Sequence, residues 1–396
     1  MNNQSVKLWS KDLVLIIVIN FLVFLNHLMI LSTFPFYIES LGGTEAQAGL
    51  AAALFSIVAV VFRPIIGWML DNGKRKIILV IGLCGMALMP LGYLFLASMG
   101  LAFLCRMLHG ASLAFSNTST STIATDIIPK QRFAEGMGMF GMATALATAC
   151  APALGLFLME QAGFRILFLA ATASVVVSLL LLAVLKVPAI SAPKKPFSVK
   201  GLLDKDALPA SAVALVFMLT YGALENFTAK FAAEENLPSG GIFFAIMAVA
   251  LLITRMSTGK VTDKHGEGIF AYSCNGAMLL AFLMMGLFPN TVTYLLSAVL
   301  AGFGFGGLEP ALQSMAVAIA PPERRGSANS TFLCAYDIGI GVGGGIAGQL
   351  IAAMGYHQMF VVMAVFNILS IVIYMVWGRN HPSSFSYQKA KGKAEQ

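Results

Sequence analysis

Charge is what this chain has least of. Only 11% of its 396 residues are Asp, Glu, Lys or Arg, and the acids are the scarcer sign, 18 against 25. A soluble domain carries about 25% charged residues. A chain this long and this poor in charge cannot coat a water-facing surface, so the bilayer must be its solvent. Cysteine is scarce as well: Cys84, Cys105, Cys150, Cys274 and Cys334 all lie inside apolar runs, and none has metal-ligand spacing. That argues against a zinc site and against a disulfide framework. The glycine row Gly339 to Gly345 lies inside an apolar run and lacks the Lys-Ser/Thr of a phosphate loop. With no nucleotide loop and no metal cluster, neither ATP-driven transport nor membrane-enzyme chemistry is expected, and no cofactor. No appended soluble domain interrupts the apolar pattern, which argues against a receptor or scaffold.

What the chain has is apolar runs. A span needs about 20 apolar residues to cross roughly 30 Å of hydrocarbon, and twelve such runs occur, near 13–38, 47–70, 77–98, 100–125, 136–160, 164–186, 208–231, 241–262, 269–288, 293–319, 327–352 and 357–377. The first is too long for a signal-peptide core and lacks a small-residue cleavage site, so it reads as a spanning helix. Short connections such as Ser98-Met99-Gly100 force antiparallel neighbours.

The net charge of +7 is not spread evenly. Alternate loops and both termini hold 20 of the 25 Lys and Arg, the other side holds only Arg165 and Lys230, and Arg63, Arg106 and Arg255 lie within spans. This bias predicts cytoplasmic termini in a multi-pass protein of the cell inner membrane, and it explains the basic balance without nucleic acid. The one long loop, with Pro188, Pro193, Pro196 and five Lys, divides the chain into a six-helix bundle over 1–186, a linker over 187–207, a second bundle over 208–380 and a tail over 381–396.

The two halves repeat. Arg63-x-x-x-Gly67-x-x-x-Asp71 recurs as Arg255-x-x-x-Gly259-x-x-x-Asp263, each ending an apolar run and opening a basic loop, at a constant offset of 192. Beyond the loop Pro129 pairs with Pro322, Arg132 with Arg325 and Gly155 with Gly348, at an offset of 193. The slip is local: the second copy reads Asp263-Lys264-His265-Gly266 where the first has Asp71-Asn72-Gly73. Internal pseudo-symmetry of this kind marks transporters built from two halves around a midplane site.

Ionisable residues inside spans are costly, by at least ~2.5 kcal/mol each on insertion scales, and are functional candidates. Arg106 lies about a third of the way into span four and is expected to face a cavity or pair with a carboxylate or carbonyl. Glu225 on span seven, Glu309 on span ten and Asp337 on span eleven are carboxylates among apolar residues, where burial favours exchange of a proton near neutral pH. Asn26 interrupts span one beside His27, and Asn117, Tyr221 and Tyr336 are further candidates to line the cavity. Arg63 and Arg255, one turn before the signature glycines, suggest a shared mechanical role. Small residues on span five (Gly138, Ala147, Ala151, Gly155) and span eleven (Gly339, Gly341, Gly343, Gly344, Gly345, Gly348) allow close helix approach, and Pro152 favours a bend.

These residues resemble the major facilitator superfamily. Gly67-x-x-x-Asp71 with Lys74-Arg75-Lys76, and Gly259-x-x-x-Asp263-Lys264-x-Gly266, are similar to its loop signature and the repeat of that signature. The resemblance implies an all-α membrane protein with twelve transmembrane helices in two pseudo-symmetric bundles. It also implies that Asp71 and Asp263 cap neighbouring helices and tie the bundles together, with Gly67, Arg75 and Gly259 in the same gating apparatus. The first copy departs by one missing residue and by Asn72 in place of a base. Arg106-x-x-x-Gly110 resembles the proton-transfer motif of span four. Gly138, Ala147, Ala151-Pro152 and Gly155 resemble the antiporter motif of span five, with alanine at two usual glycines and Leu156 at another. The expectation is a proton-coupled exporter of a small amphiphilic molecule, working as a monomer by alternating access. The alternative is an uptake symporter or facilitator for a sugar, organic acid or nucleoside.

Overall fold

A computed structural model describes residues 8–71, 75–95, 98–129, 133–188, 203–320 and 325–387. Among these, twelve helical segments occur. They are α1 (Lys11–Ser40), α2 (Glu45–Asp71), α3 (Arg75–Phe95), α4 (Met99–Ile127), α5 and α6 within Phe133–Val184, α7 (Leu208–Glu234), α8 (Gly240–His265), α9 (Gly268–Leu287), α10 (Thr291–Val317), and α11 and α12 within Arg325–Ile373. The two long helices each break at a glycine of positive φ, Gly163 at 74° and Gly355 at 84°, giving segments 133–162, 164–184, 325–354 and 356–373. Only glycine takes such a backbone without strain, so two residues convert two over-long helices into four spans. Pro152, expected to bend α5, is buried in backbone that stays helical; Gly163 is where the dihedrals depart. The last span ends in a π turn, Tyr374–Gly378.

The chain divides into two compact units: Met1–Thr33 with Val58–Phe197, and Phe34–Ile57 with Ser198–Gln396. The linker lies mostly outside the described residues; its end forms a 3₁₀ turn, Lys205–Ala207, capped by Asp204. Asp71 and Asp263 close α2 and α8, but their side chains, and the surroundings of Gly138, lie outside what the structure describes.

Within the first unit, α1 meets α5 where Gly155 faces the backbone of Met29; a Cβ would lie 2.6 Å from its carbonyl oxygen. Gly82 and Gly85 of α3 seat Ser116 and Ser112 of α4 in the same way. Hydrogen bonds cross these seams. Thr120 donates to Asn20 Oδ1 (3.0 Å) and Asn20 donates to Thr144 (2.8 Å), stitching α4, α1 and α5. Arg75, at the start of α3, grips Asp126 at the end of α4 and donates to the Leu70 carbonyl of α2 at 2.8 Å. One guanidinium therefore binds three helix ends beside the first signature loop, through a bidentate ion pair.

In the second unit the glycine row of α11 is a two-sided seam. Gly339 and Gly343 lie on α7 against Leu215 and Leu219, and Gly222 of α7 lies against Ile340. Gly341, Gly344 and Gly348 lie on the N-terminal half of α2, against Ser56, Ala52, Gly49 and Glu45. Above this seam Lys230 of α7, with only 9% of its side chain exposed, bridges Glu39 at the end of α1 (2.7 Å) and Glu45 at the start of α2. Its ammonium also stands 5.9 Å from the Phe36 ring. Lys230 thus clamps the α1–α2 turn.

Candidate functional site

The polar residues of the second unit converge where α10 touches α8. Gly302 and Gly306 bring the backbones together: a Cβ on Gly306 would lie 2.7 Å from the Leu251 carbonyl oxygen and 3.0 Å from its Cα. One turn further along both helices, Arg255 of α8 and Glu309 of α10 form an ion pair, their side chains 20% and 14% exposed. The close approach that the glycines allow is what places the two charges side by side. Their expected roles were separate, Arg255 mechanical and Glu309 binding; the structure joins them. The residue 193 positions before Glu309 is Ser116, so the repeat does not supply Arg63 with an equivalent acid at that place.

Beside this pair α7 contributes Tyr221, Glu225 and Thr228, spaced three and four residues apart and so on one helical face. All three are buried, Glu225 and Thr228 fully and Tyr221 at 2% exposure. The Tyr221 ring stacks on Phe305 of α10 with centroids 4.0 Å apart and planes at 11°. Phe305 in turn meets Tyr336 of α11 at 6.3 Å. Tyr221 and Tyr336 lie within electrostatic reach of Arg255, and Tyr221 within reach of Glu225. Yet neither carboxyl oxygen of Glu225, nor the hydroxyls of Tyr221 and Thr228, holds a hydrogen bond of ordinary geometry. Buried polar atoms are almost always paired, and here the Tyr221 hydroxyl is the group placed to hydrogen-bond the Glu225 carboxyl. Asp337 is half-buried beside Tyr336.

Arg106 and Asn26 belong to the first unit, in a second polar cluster. Arg106, fully buried, lies beside Tyr93, His27 and His109. The Tyr93 hydroxyl and His109 Nδ1 are 3.2 Å apart, and His109 Nε2 and Asn26 Oδ1 are 3.1 Å apart. Asn26 donates to the Ala171 carbonyl at 2.7 Å. Four spans, α1, α3, α4 and α6, are thereby tied through Asn26 and His109, so Asn26 serves cohesion as much as any cavity. Asn117 is half-buried on α4 and accepts from Thr120 at 3.0 Å through its carbonyl. Arg63 is buried. The signature glycines differ from the packing glycines: a Cβ on Gly67 or Gly259 would meet nothing within 4 Å.

Sequence reasoning missed Tyr93, Phe305 and the Lys230 clamp as parts of these clusters. The signal for Lys230 was there, a lysine on the side that basic residues otherwise avoid. His109 stood inside the Arg106 motif. Nothing in the sequence pointed to Phe305, one aromatic residue among 29 phenylalanines. No group of three His, Cys, Asp or Glu placed to hold a metal occurs among the described residues.

A multi-pass helical protein with its uncommon polar groups gathered inside the spans has the build of a solute transporter of the membrane. The chain belongs to the Major Facilitator Superfamily, whose family model matches residues 16–299 and 236–395. The MFS-type transporter YhhS of Escherichia coli (strain K12) is 25% identical over 375 residues, covering 92% of this chain and 91% of that protein. Its counterpart in Salmonella typhimurium (strain LT2) is 26% identical over 375 residues, with the same shares of both chains. Among solved structures, the nucleoside transporter NupG superposes with a TM-score of 0.71 at 18% identity, over 92% of this chain and 98% of that one. A POT family transporter in complex with 5-aminolevulinic acid superposes with a TM-score of 0.76 at 16% identity, over 93% and 96%. The chain is therefore a membrane transporter with the twelve-helix fold of that superfamily, and not an enzyme.

Proposed function

We propose that this transporter is a proton-coupled antiporter that exports a small amphiphilic molecule from the cytoplasm by alternating access. The single observation that carries the reading is Glu225, fully buried within a span, with the Tyr221 hydroxyl beside its carboxyl group. An ionised carboxylate there would have given up its hydration with a neutral hydroxyl beside it as compensation, at a net cost of several kcal/mol. The arrangement accommodates the proton-bearing form, and a state that opens this face to water accommodates the ion. Such a group loads a proton in one state and releases it in the other. The neighbouring Arg255–Glu309 pair and Asp337 supply charge that a passing substrate can meet, and Tyr221, Phe305 and Tyr336 supply the aromatic surface. In the first unit Arg106 and Asn117 are the corresponding polar contributors.

In this reading Arg63, Gly67, Asp71, Arg75, Pro152, Arg255, Gly259 and Asp263 govern the change of state, with Lys230, Glu39 and Glu45 clasping the outer ends. The protein works as a monomer in the inner membrane with both termini cytoplasmic, as the 20-to-2 distribution of basic residues supports. The test is reconstitution into liposomes carrying a lumenal pH dye, with ethidium as the cationic probe beside neutral and anionic amphiphiles. Proton movement opposite to, and dependent on, movement of a probe supports antiport. Movement in the same direction establishes symport, and probe flux without proton flux establishes a facilitator.

A further inference from the structure

One asymmetry of the repeat has a structural counterpart in the second unit. The second signature loop is longer by one residue, and its glycine, Gly266, lies under the chain beyond α12. Gly266 adopts φ 82° and ψ 168°, a conformation essentially confined to glycine. The Phe385 side chain lies directly over it: a Cβ at Gly266 would meet Phe385 atoms at 2.7 to 2.9 Å. The next residue, Glu267, is only 3% exposed. Its Oε1 accepts the Tyr374 hydroxyl at 2.9 Å and its Oε2 accepts the backbone N–H of Phe385 at 3.2 Å. Ser384 is fully buried and its hydroxyl accepts the N–H groups of Ser386 (3.1 Å) and Tyr387 (3.4 Å). His381 fixes the approach, through its carbonyl to the Ser384 N–H at 2.9 Å and its Nδ1 to Ser383 Oγ at 2.9 Å. The chain leaving the last span thus folds back over the α8–α9 loop.

We propose that residues 382–387 are an intramolecular strap that clasps the second signature loop through Gly266 and Glu267, and that the strap lets go when the ends of α8 and α9 move during transport. The contact is small: one aromatic ring on one glycine, and one carboxylate that gathers a hydroxyl and an amide. Segments with few buried apolar contacts open at low cost. Bonds to a desolvated carboxylate are strong while they last. A contact of this kind holds one state and does not survive displacement of its cradle, which is what a state-dependent latch requires. Gly266 is the residue of the loop whose lack of a side chain leaves room for Phe385.

The test uses the full-length protein in liposomes, in a background lacking the five native cysteines, with Ser384→Cys as reporter and N-ethylmaleimide as the membrane-permeant label. Labelling of the buried thiol should be slow at rest. Glu267→Gln replaces an acceptor of the Phe385 N–H by an amide and should speed labelling by ~10-fold, the loss expected for a charge-assisted hydrogen bond. Tyr374→Phe, which removes one bond and no charge, should speed it less and controls for misfolding of the first variant. Under an imposed proton gradient with ethidium, labelling should rise in step with ethidium flux. Flux that proceeds while the thiol stays protected at its resting rate would overturn release during transport. Unchanged labelling in both Glu267→Gln and Tyr374→Phe would overturn the clasp itself. Absence of ethidium flux would count against the proposed substrate, and the two variants at rest would still decide the clasp.

Discussion

Neutralising Glu309 strands Arg255 inside the membrane, and the cost follows from the geometry. Two unit charges about 4 Å apart attract by ~4 kcal/mol at an effective dielectric constant near 20. Here the side chains keep 20% and 14% of their exposure, so solvent screens part of that attraction and we expect ~2 kcal/mol of coupling. Removing one member of a fully buried pair costs about 3–5 kcal/mol, because the survivor stays behind unpaired. Glu309→Gln and Arg255→Gln should therefore each destabilise the protein by ~2–3 kcal/mol. The double variant leaves no charge stranded and should be no less stable than the worse single variant. The assay is a double-mutant cycle on the purified protein in detergent, read by denaturant unfolding. Additivity of the two single effects within ~0.5 kcal/mol, the behaviour of independent sites, would refute the pairing and with it the account of why Gly302 and Gly306 are needed on α10.

Three further outcomes follow from the packing. Gly343→Val places side-chain atoms against the Leu219 backbone on α7 and should abolish folded yield in size-exclusion chromatography, whereas Gly259→Ala, with open space at its Cβ, should leave the melting temperature unchanged or slightly raised, as helix propensity favours alanine by ~1 kcal/mol. Lys230→Met leaves Glu45 without its counter-charge and should cost ~1–2 kcal/mol in stability; a cysteine placed at Leu41 in the α1–α2 turn should then react faster with a maleimide, while Glu39→Gln, whose own side chain is 61% exposed, should change little. Asn20→Ala breaks the hydrogen-bonded chain from Thr120 to Thr144 and should cost ~1 kcal/mol, the usual scale for hydrogen bonds between spans.

The spans were legible because a bilayer imposes length and hydropathy on every one of them. The breaks at Gly163 and Gly355 fall between runs that the sequence already separated, at 160/164 and 352/357. What hydropathy does not carry is helix rotation. Tyr221, Glu225 and Glu309 were visible as polar interruptions, but that Tyr221 stacks on Phe305, or that Glu309 meets Arg255, depends on which faces the glycines of α10 and α11 press against α8 and α7. Asn26 shows the converse. Its position inside span one suggested a cavity, and the structure engages its side chain with Ala171 and His109. The glycine row of α11 was read as close packing, and so it is, with partners on two sides that a linear pattern cannot name. The one-residue slip between the two signatures was plain in the sequence, while the contact of Phe385 with Gly266 joins residues more than a hundred positions apart and was not.

The most direct test of the central claim compares wild type with Glu225→Gln in proteoliposomes, measuring two modes of ethidium movement. One is accumulation driven by an imposed proton gradient; the other is exchange of labelled for unlabelled ethidium with no gradient. If Glu225 carries the coupling proton, the variant loses gradient-driven accumulation and proton flux and keeps exchange, because the permanently neutral side chain preserves the alternating cycle without the proton step. Gradient-driven accumulation at the wild-type level in Glu225→Gln would contradict that assignment.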